Sequence, residues 1–336
     1  MNAETISILP GAQFKDKVQG LVIVCVDLSR GKKMRVFVTG TTGFVGSAIA
    51  QELTQSGHQV LGLARSEQSA AKLESDGVEV LRGDLDDLAA LRKGASECDA
   101  VVHAGFKTAF SDNDEAAKRL QNCEHDFQVI ETMGKVLEGT QRPFIVTSGT
   151  ALVTPGKLAH ETDRSTLTVE QFSRVLTEQA AEAVAARGAC ISVVRLSPTV
   201  HGEGDHGFIP LLINIAREKG ISAYIGGGEN RWSAVHRLDA ARLYRLALTN
   251  KVPGARFHAA AESGIPFREI AAAIGHGLGI PVVSIPAGEA SAHFGWFRHF
   301  AELDAPVSAE KTRDQLGWHP SQPPLLDDIN KAGYFR

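Results

Sequence analysis

Two rhythms of apolar and polar positions run along this chain. Val36, Phe37 and Val38 form an unbroken apolar run ahead of Gly40, which predicts a buried strand over 34–39. Phe44, Val45, Ala48, Ile49 and Leu53 then recur at helical spacing, predicting a helix over 43–56 that Gly57 ends. The alternation repeats. "HQVLGLAR" (58–65), "VEVLRGDL" (78–85), "DAVVHAG" (99–105), "PFIVTSGT" (143–150) and "ISVVRLS" (191–197) read as strands. Helical patterns over 67–75, through Leu91, over 113–138 and over 168–187 separate them. Six strands joined through helices need crossover connections, hence an α/β fold with a doubly wound parallel sheet. Beyond residue 200 the rhythm loosens, and Gly, Pro and aromatic residues become denser.

Composition removes several function classes. The formal charge of -4 gives no reason to expect nucleic acid or an anionic membrane as partner. No apolar run approaches the roughly 18–20 residues of a membrane span. "LVIVCV" (21–26) follows Lys15 and Lys17, but it is short for a signal sequence and no small-residue cleavage site follows it. Cys25, Cys98, Cys123 and Cys190 are far apart and form no CxxC pair. They read as reduced thiols, so a cytoplasmic location is expected, and no metal site. Residues 1–33 precede Met34 and read as a poorly ordered extension with little part in the fold.

The junction "VFVTGTTGFVG" (36–46) carries the chemistry. A strand that ends in three glycines and opens a helix is a dinucleotide-binding context. Gly40 permits the tight turn, Gly43 lets backbone approach a diphosphate, and Gly46 lets the helix pack close to the strand. The helix N-terminus supplies free N–H groups and a favourable dipole. An acidic residue at the tip of the second strand would bind the ribose 2′-hydroxyl of NAD, but the residue there is Arg65. A cation suits a 2′-phosphate, which favours NADP with NAD as the alternative; Glu67 nearby argues the other way. Asp84 follows the third strand, placed either to accept from the adenine amino group or to cap a helix.

With these segments in hand, the chain resembles the extended short-chain dehydrogenases, the NAD(P)-dependent epimerase/dehydratase superfamily. "TGTTGFVG" (39–46) is similar to their TGxxGxxG fingerprint, and "VTSGT" (146–150) to the strand that carries their catalytic serine, here Ser148. "VVRLSPTVHG" (193–202), "WSAVHRLDAARL" (232–243) and "EKTRDQLGWHP" (310–320) resemble later segments of the family. The resemblance implies a Rossmann domain over 34–200 with about 237–252, and a smaller C-terminal substrate lobe from 201–236 and 253–330. It implies cofactor contacts from Gly40, Thr42, Gly43, Phe44, Val45 and Gly46 in the turn. Further contacts would come from "GDL" (Asp84, Leu85), from "HAG" (His103, Ala104, Gly105) and from Pro198. A homodimer is the family expectation.

The resemblance breaks at one place. The family reaction uses a tyrosine and a lysine four residues later, yet the three tyrosines here, Tyr224, Tyr244 and Tyr334, have no such lysine. In "EQFSRVLTEQAAEAVAARG" (170–188) the tyrosine position falls near Arg174 or Phe172 and the lysine position near Glu178. Ser148 is then the candidate to polarise a substrate oxygen. His160 and Arg164 are four apart and offer a substitute acid/base pair, or a polar loop cap. His201, His206 and His236 belong to segments that the resemblance brings to the cleft. Arg195 and Arg237 either bind an anionic substrate or serve structure. The expected function is an NAD(P)-dependent oxidoreductase or epimerase acting on a small carbonyl, alcohol or nucleotide sugar. The alternative is a non-catalytic redox sensor.

Overall fold

The computed structural model describes residues 33–107, 116–153, 155–331 and 333–335. The extension expected over 1–33 lies, up to residue 32, outside the described residues, as does Cys25. Strands β1 (Arg35–Thr39), β2 (Gln59–Ala64), β3 (Glu79–Arg82), β4 (Ala100–His103), β5 (Phe144–Gly149) and β6 (Ile191–Leu196) stand where the apolar runs place them. Between them come α1 (Phe44–Gln55), α2 (Glu67–Ser75), α3 (Leu88–Glu97), α4 (Ala116–Leu137) and α5 (Val175–Ala186). Two elements differ from the pattern. Asp87 caps α3 by accepting from the N–H groups of Ala89 and Ala90, so that helix runs on past Leu91. Residues 168–174 form turns, and α5 starts only at Val175.

The rest of the chain contributes β7 (Thr199–His201), α6 (Phe208–Lys219), β8 (Ser222–Ile225), β9 (Arg231–His236), α7 (Arg237–Asn250) and β10 (Arg256–Ala259). It ends with β11 (Glu262–Pro266), α8 (Phe267–Leu278), β12 (Val282–Ile285) and the short helices α9 (Ala290–Phe294), α10 (Arg298–Ala301), α11 (Glu310–Leu316) and α12 (Leu325–Lys331). Seven strands make one parallel sheet in the order β10-β6-β5-β4-β1-β2-β3. Its seventh strand, β10, comes from inside the 253–330 span. Smaller sheets pair β11-β9-β7 and β12-β8.

Period-two alternation on β1 shows how the layers form. Val36 and Val38 face the core shared with α1 and α7, while Phe37 faces the core under α3, α4 and α5. Because both faces are covered, the strand is apolar throughout. A third core gathers Trp232, Phe267, Phe294 and Phe297, all buried. The aromatic stretch 293–300 therefore packs with Phe208 and Trp232 as core. Losing a side chain of that size costs about 3–5 kcal/mol. No described helix is long and apolar enough to cross a membrane. Reversal of strand order about β1 puts a crevice at the carboxyl ends of β1 and β4, where open α/β sheets bind ligands.

Candidate nucleotide and active site

The turn after β1 is built for backbone approach. Gly40 sits at φ +75°, and a Cβ there would lie 2.7 Å from the Cα of Gly105. A Cβ on Gly46 would lie 1.9 Å from the carbonyl oxygen of Gly40, so only glycine lets α1 press against the turn. The Gly43 N–H donates to that carbonyl at 2.9 Å. Gly43 is the N-cap of α1 and no side chain caps the helix, which leaves its first N–H groups for an anion. Thr42 and Gly43 are exposed, and Phe44 and Val45 are half-buried beside them. These residues fit the diphosphate of a dinucleotide.

Toward β2 and β3 the site turns cationic. Arg65 is exposed directly after β2. Ser66 caps α2 by accepting from the Ser69 N–H. Arg82, the last residue of β3, donates to the Ser66 carbonyl at 2.9 Å and pairs with Glu67 at 2.5 Å. Glu67 is thus tied to a neighbouring cation. The sequence reading missed Arg82 because its nearness to Ser66 exists only through β2–β3 pairing, with Ala64 opposite Arg82. Asp84 accepts from the N–H groups of Asp86 and Asp87 through one oxygen, and the helix cap is Asp87 instead. Leu85 is half-buried against Gly105.

On the other side of β1 a buried polar chain crosses the sheet. The Thr39 hydroxyl accepts from the Gly105 N–H at 3.2 Å and lies 2.7 Å from His103 Nδ1. His103 Nε2 meets Asp126 of α4 at 2.9 Å. Asp126 also accepts from Thr177 at 2.6 Å and from Arg174 at 3.0 Å. Burial pushes the Asp126 carboxyl up, but Arg174, His103 and Thr177 outweigh it and hold its pKa below the usual range. Arg174 donates to the Thr147 carbonyl at 3.2 Å and stacks its guanidinium 3.6 Å from the centre of the Phe106 ring. His103 is therefore a buried brace, while Ala104 and Gly105 line the turn half-buried. Pro198 is half-buried between β6 and β7.

Ser148 does not face this crevice. It is 4% exposed and donates to Glu178 at 2.9 Å, on the opposite face of β5 from Thr147. Glu178 is held by the fully buried Arg195 through two contacts of 2.8 Å, and by Arg256 at 3.4 Å. Burial raises the Glu178 pKa, but Arg195, Ser148 and Arg256 outweigh that and lower it. Arg195 also reaches His258 and the Asp163 carbonyl. Ser148 and Arg195 thus belong to one buried ion cluster, the structural of the two roles expected for Arg195, and Ser148 is engaged there with Glu178. His160 and Arg164 also fall away from the crevice. His160 is exposed in a surface groove with Ser308 and Lys311, and Arg164 pairs with Glu182 across an exposed 3.6 Å contact. The His160 backbone N–H donates to Asp163 at 2.8 Å, which fits the polar loop cap of the two readings.

The histidines divide. His201 is 1% exposed and bonds Asp328 of α12 at 2.8 Å. His236 caps α7 through the Leu238 N–H and lies edge-on to His201. Burial, then His201, lowers its pKa. His206 is exposed, and its ring meets Phe44, the first residue of α1, at 5.7 Å. Arg237 lies 5.1 Å from the same ring, beside the free N-terminus of α1. The loop from Gly202 to Gly207 thus returns to the nucleotide turn. Tyr334 donates to Asp205 at 2.9 Å and accepts from the Gly202 N–H at 3.1 Å. Tyr244 is buried against Thr147, and burial pushes its phenol up. Neither of these phenols is poised as a base.

Similarity to known proteins follows this geometry. The sequence pattern of the NAD dependent epimerase/dehydratase family matches residues 36–260. An uncharacterized protein of Schizosaccharomyces pombe is 47% identical over 303 residues, 90% of this chain and 100% of that one. A 2-alkyl-3-oxoalkanoate reductase of Stenotrophomonas maltophilia is 30% identical over 66% of this chain and 67% of its own. The crystal structure of DesIV, a dTDP-glucose 4,6-dehydratase from Streptomyces venezuelae with NAD and TYD bound, superposes with a TM-score of 0.71 at 20% identity. It covers 90% of this chain and 96% of that one.

Proposed function

Since this chain belongs to the NAD-dependent epimerase/dehydratase family, we propose that it is an NADP-dependent oxidoreductase acting on a small carbonyl or alcohol. The observation that carries this reading is the cationic end of the crevice, where Arg65 is exposed beside the Ser66 cap with no ion-pair partner among the described residues, and Arg82 neutralises Glu67. A 2′-phosphate would meet two guanidinium groups and a hydroxyl pair there, and the carboxylate that would prefer a 2′-hydroxyl is already engaged. The bound dinucleotide supplies the hydride. The chain itself supplies the uncapped α1 N-terminus for the diphosphate and Arg237 beside it. Gly40 and Gly46 give the room. The oxoalkanoate reductase among the relatives supports a carbonyl as substrate.

The test is calorimetric titration with NADPH and NADH. NADPH should bind at least tenfold tighter, a difference of about 1.4 kcal/mol. The Arg65→Ala/Arg82→Ala pair should remove that margin. Equal affinities in the unaltered protein refute the NADP assignment. A second reading, a redox sensor that binds without turnover, is favoured by the buried placement of Ser148. Tight NADPH binding with no oxidation of NADPH by a broad panel of ketones and aldehydes would support it.

A further inference from the structure

We infer that Arg174 is the cation that sets the redox preference of this site, so that the neutral, reduced cofactor binds more tightly than the cationic, oxidised one. The inference rests on the dinucleotide reading above and deepens it. Placement comes from topology. The diphosphate belongs at the α1 N-terminus beyond β1, and the adenosine ribose belongs at Arg65 beyond β2. The other half of the dinucleotide must then extend over the ends of β4 and β5, on the far side of β1 in the sheet order. Arg174 occupies that place. It bonds the Thr147 carbonyl on β5 and stacks on Phe106, three residues past β4.

The guanidinium is fixed rather than free to swing. Asp126 holds Nη1, the Thr147 carbonyl holds Nη2, and Phe106 covers one face. The groups around it are accounted for. Asp126 is 3% exposed and engaged with His103 and Thr177 as well, whereas the Arg174 side chain is 21% exposed. Lys107, next to Phe106, is drawn away by Asp86, which also takes His125. The crevice thus meets the cation of the buried pair and not the anion. Nε–H of Arg174 has no partner among the described residues.

A fixed positive charge at that place has one chemical consequence. The oxidised nicotinamide ring is a cation and the reduced ring is neutral, so Arg174 disfavours the oxidised form. The same charge opposes loss of hydride from the bound ring, so it acts on the relative binding of the two forms and not as a replacement for the missing tyrosine.

The experiment compares dissociation constants for NADP+ and NADPH, measured by titration in the unaltered protein, in Arg174→Gln and in Arg174→Lys. The ratio of the NADP+ to the NADPH constant should fall roughly fivefold or more in Arg174→Gln, as expected for one charge removed at a few ångströms. Arg174→Lys should restore it. If Arg174→Gln does not fold, the Arg174→Gln/Asp126→Asn pair leaves no buried unpaired charge, and the ratio should still fall, by less than in Arg174→Gln because the opposing charge is removed with it. A ratio unchanged within twofold overturns the inference while leaving the cofactor site intact. If neither nucleotide binds the unaltered protein, the proposed function itself fails and the inference goes with it.

Discussion

His258 should make this fold acid-sensitive well above the range where carboxylates titrate. The ring is fully buried on β10. Its Nδ1–H donates to the Ser308 carbonyl at 2.8 Å, which leaves Nε2 to accept from Arg195 at 3.1 Å. Burial first, and the Arg195 cation second, push its pKa down to about 4. A base held below its ordinary value stabilises the fold fully above that value of 6.5. The benefit is lost as pH falls through the folded value, because the unfolded chain takes a proton that the fold refuses. Shifts of this size are worth about 3 kcal/mol, a substantial part of a stability of roughly 5–15 kcal/mol. Urea unfolding at pH 7.5 and 4.5 measures it. His58, His236 and His293 are also lowered and act in the same direction, so the informative quantity is the difference from His258→Gln. Glu178 and Asp126 are lowered too, but their contributions are lost only below the ordinary carboxylate range. The unaltered protein should lose about 3 kcal/mol more than His258→Gln between the two pH values. Equal losses would refute the locked neutral ring.

Three further outcomes follow from the geometry. Gly46→Ala should abolish nucleotide binding and destabilise the fold by several kcal/mol, roughly the cost of overpacking a tight contact, because its Cβ would collide with the Gly40 carbonyl; calorimetry and thermal melting check both. Ser148→Ala should cost about 1.5–3 kcal/mol of stability, as a hydrogen bond to a charged group does, while nucleotide affinity stays within twofold; a tenfold loss of affinity would return Ser148 to the crevice. Tyr334→Phe frees Asp205 and the Gly202 N–H. Proteolysis within residues 202–206 should then speed up severalfold, tracking about 1–2 kcal/mol of lost local hold, and an unchanged rate would show that the loop is held by other contacts.

The local features of this protein were legible in its sequence. Apolar runs of strand length, helical spacing between them and three glycines at intervals of three are short-range properties, and each acts through its own backbone or its immediate neighbours. The large sheet and the nucleotide turn follow from them. What the sequence left open depends on pairs brought together from far apart. Adjacent residues on β5 point to opposite faces, so the Thr147 hydroxyl meets Tyr244 while the Ser148 hydroxyl meets Glu178. Which of the two faces the crevice depends on where α5 and β6 pack. Arg174 and Asp126 are 48 positions apart, Arg195 and His258 are 63, and Tyr334 and Asp205 are 129. No periodicity records such distances. Only the assembled sheet, by setting α4 beside α5 and β10 beside β6, decided that Arg195 became a fully buried strut while Arg174 kept a partly exposed guanidinium.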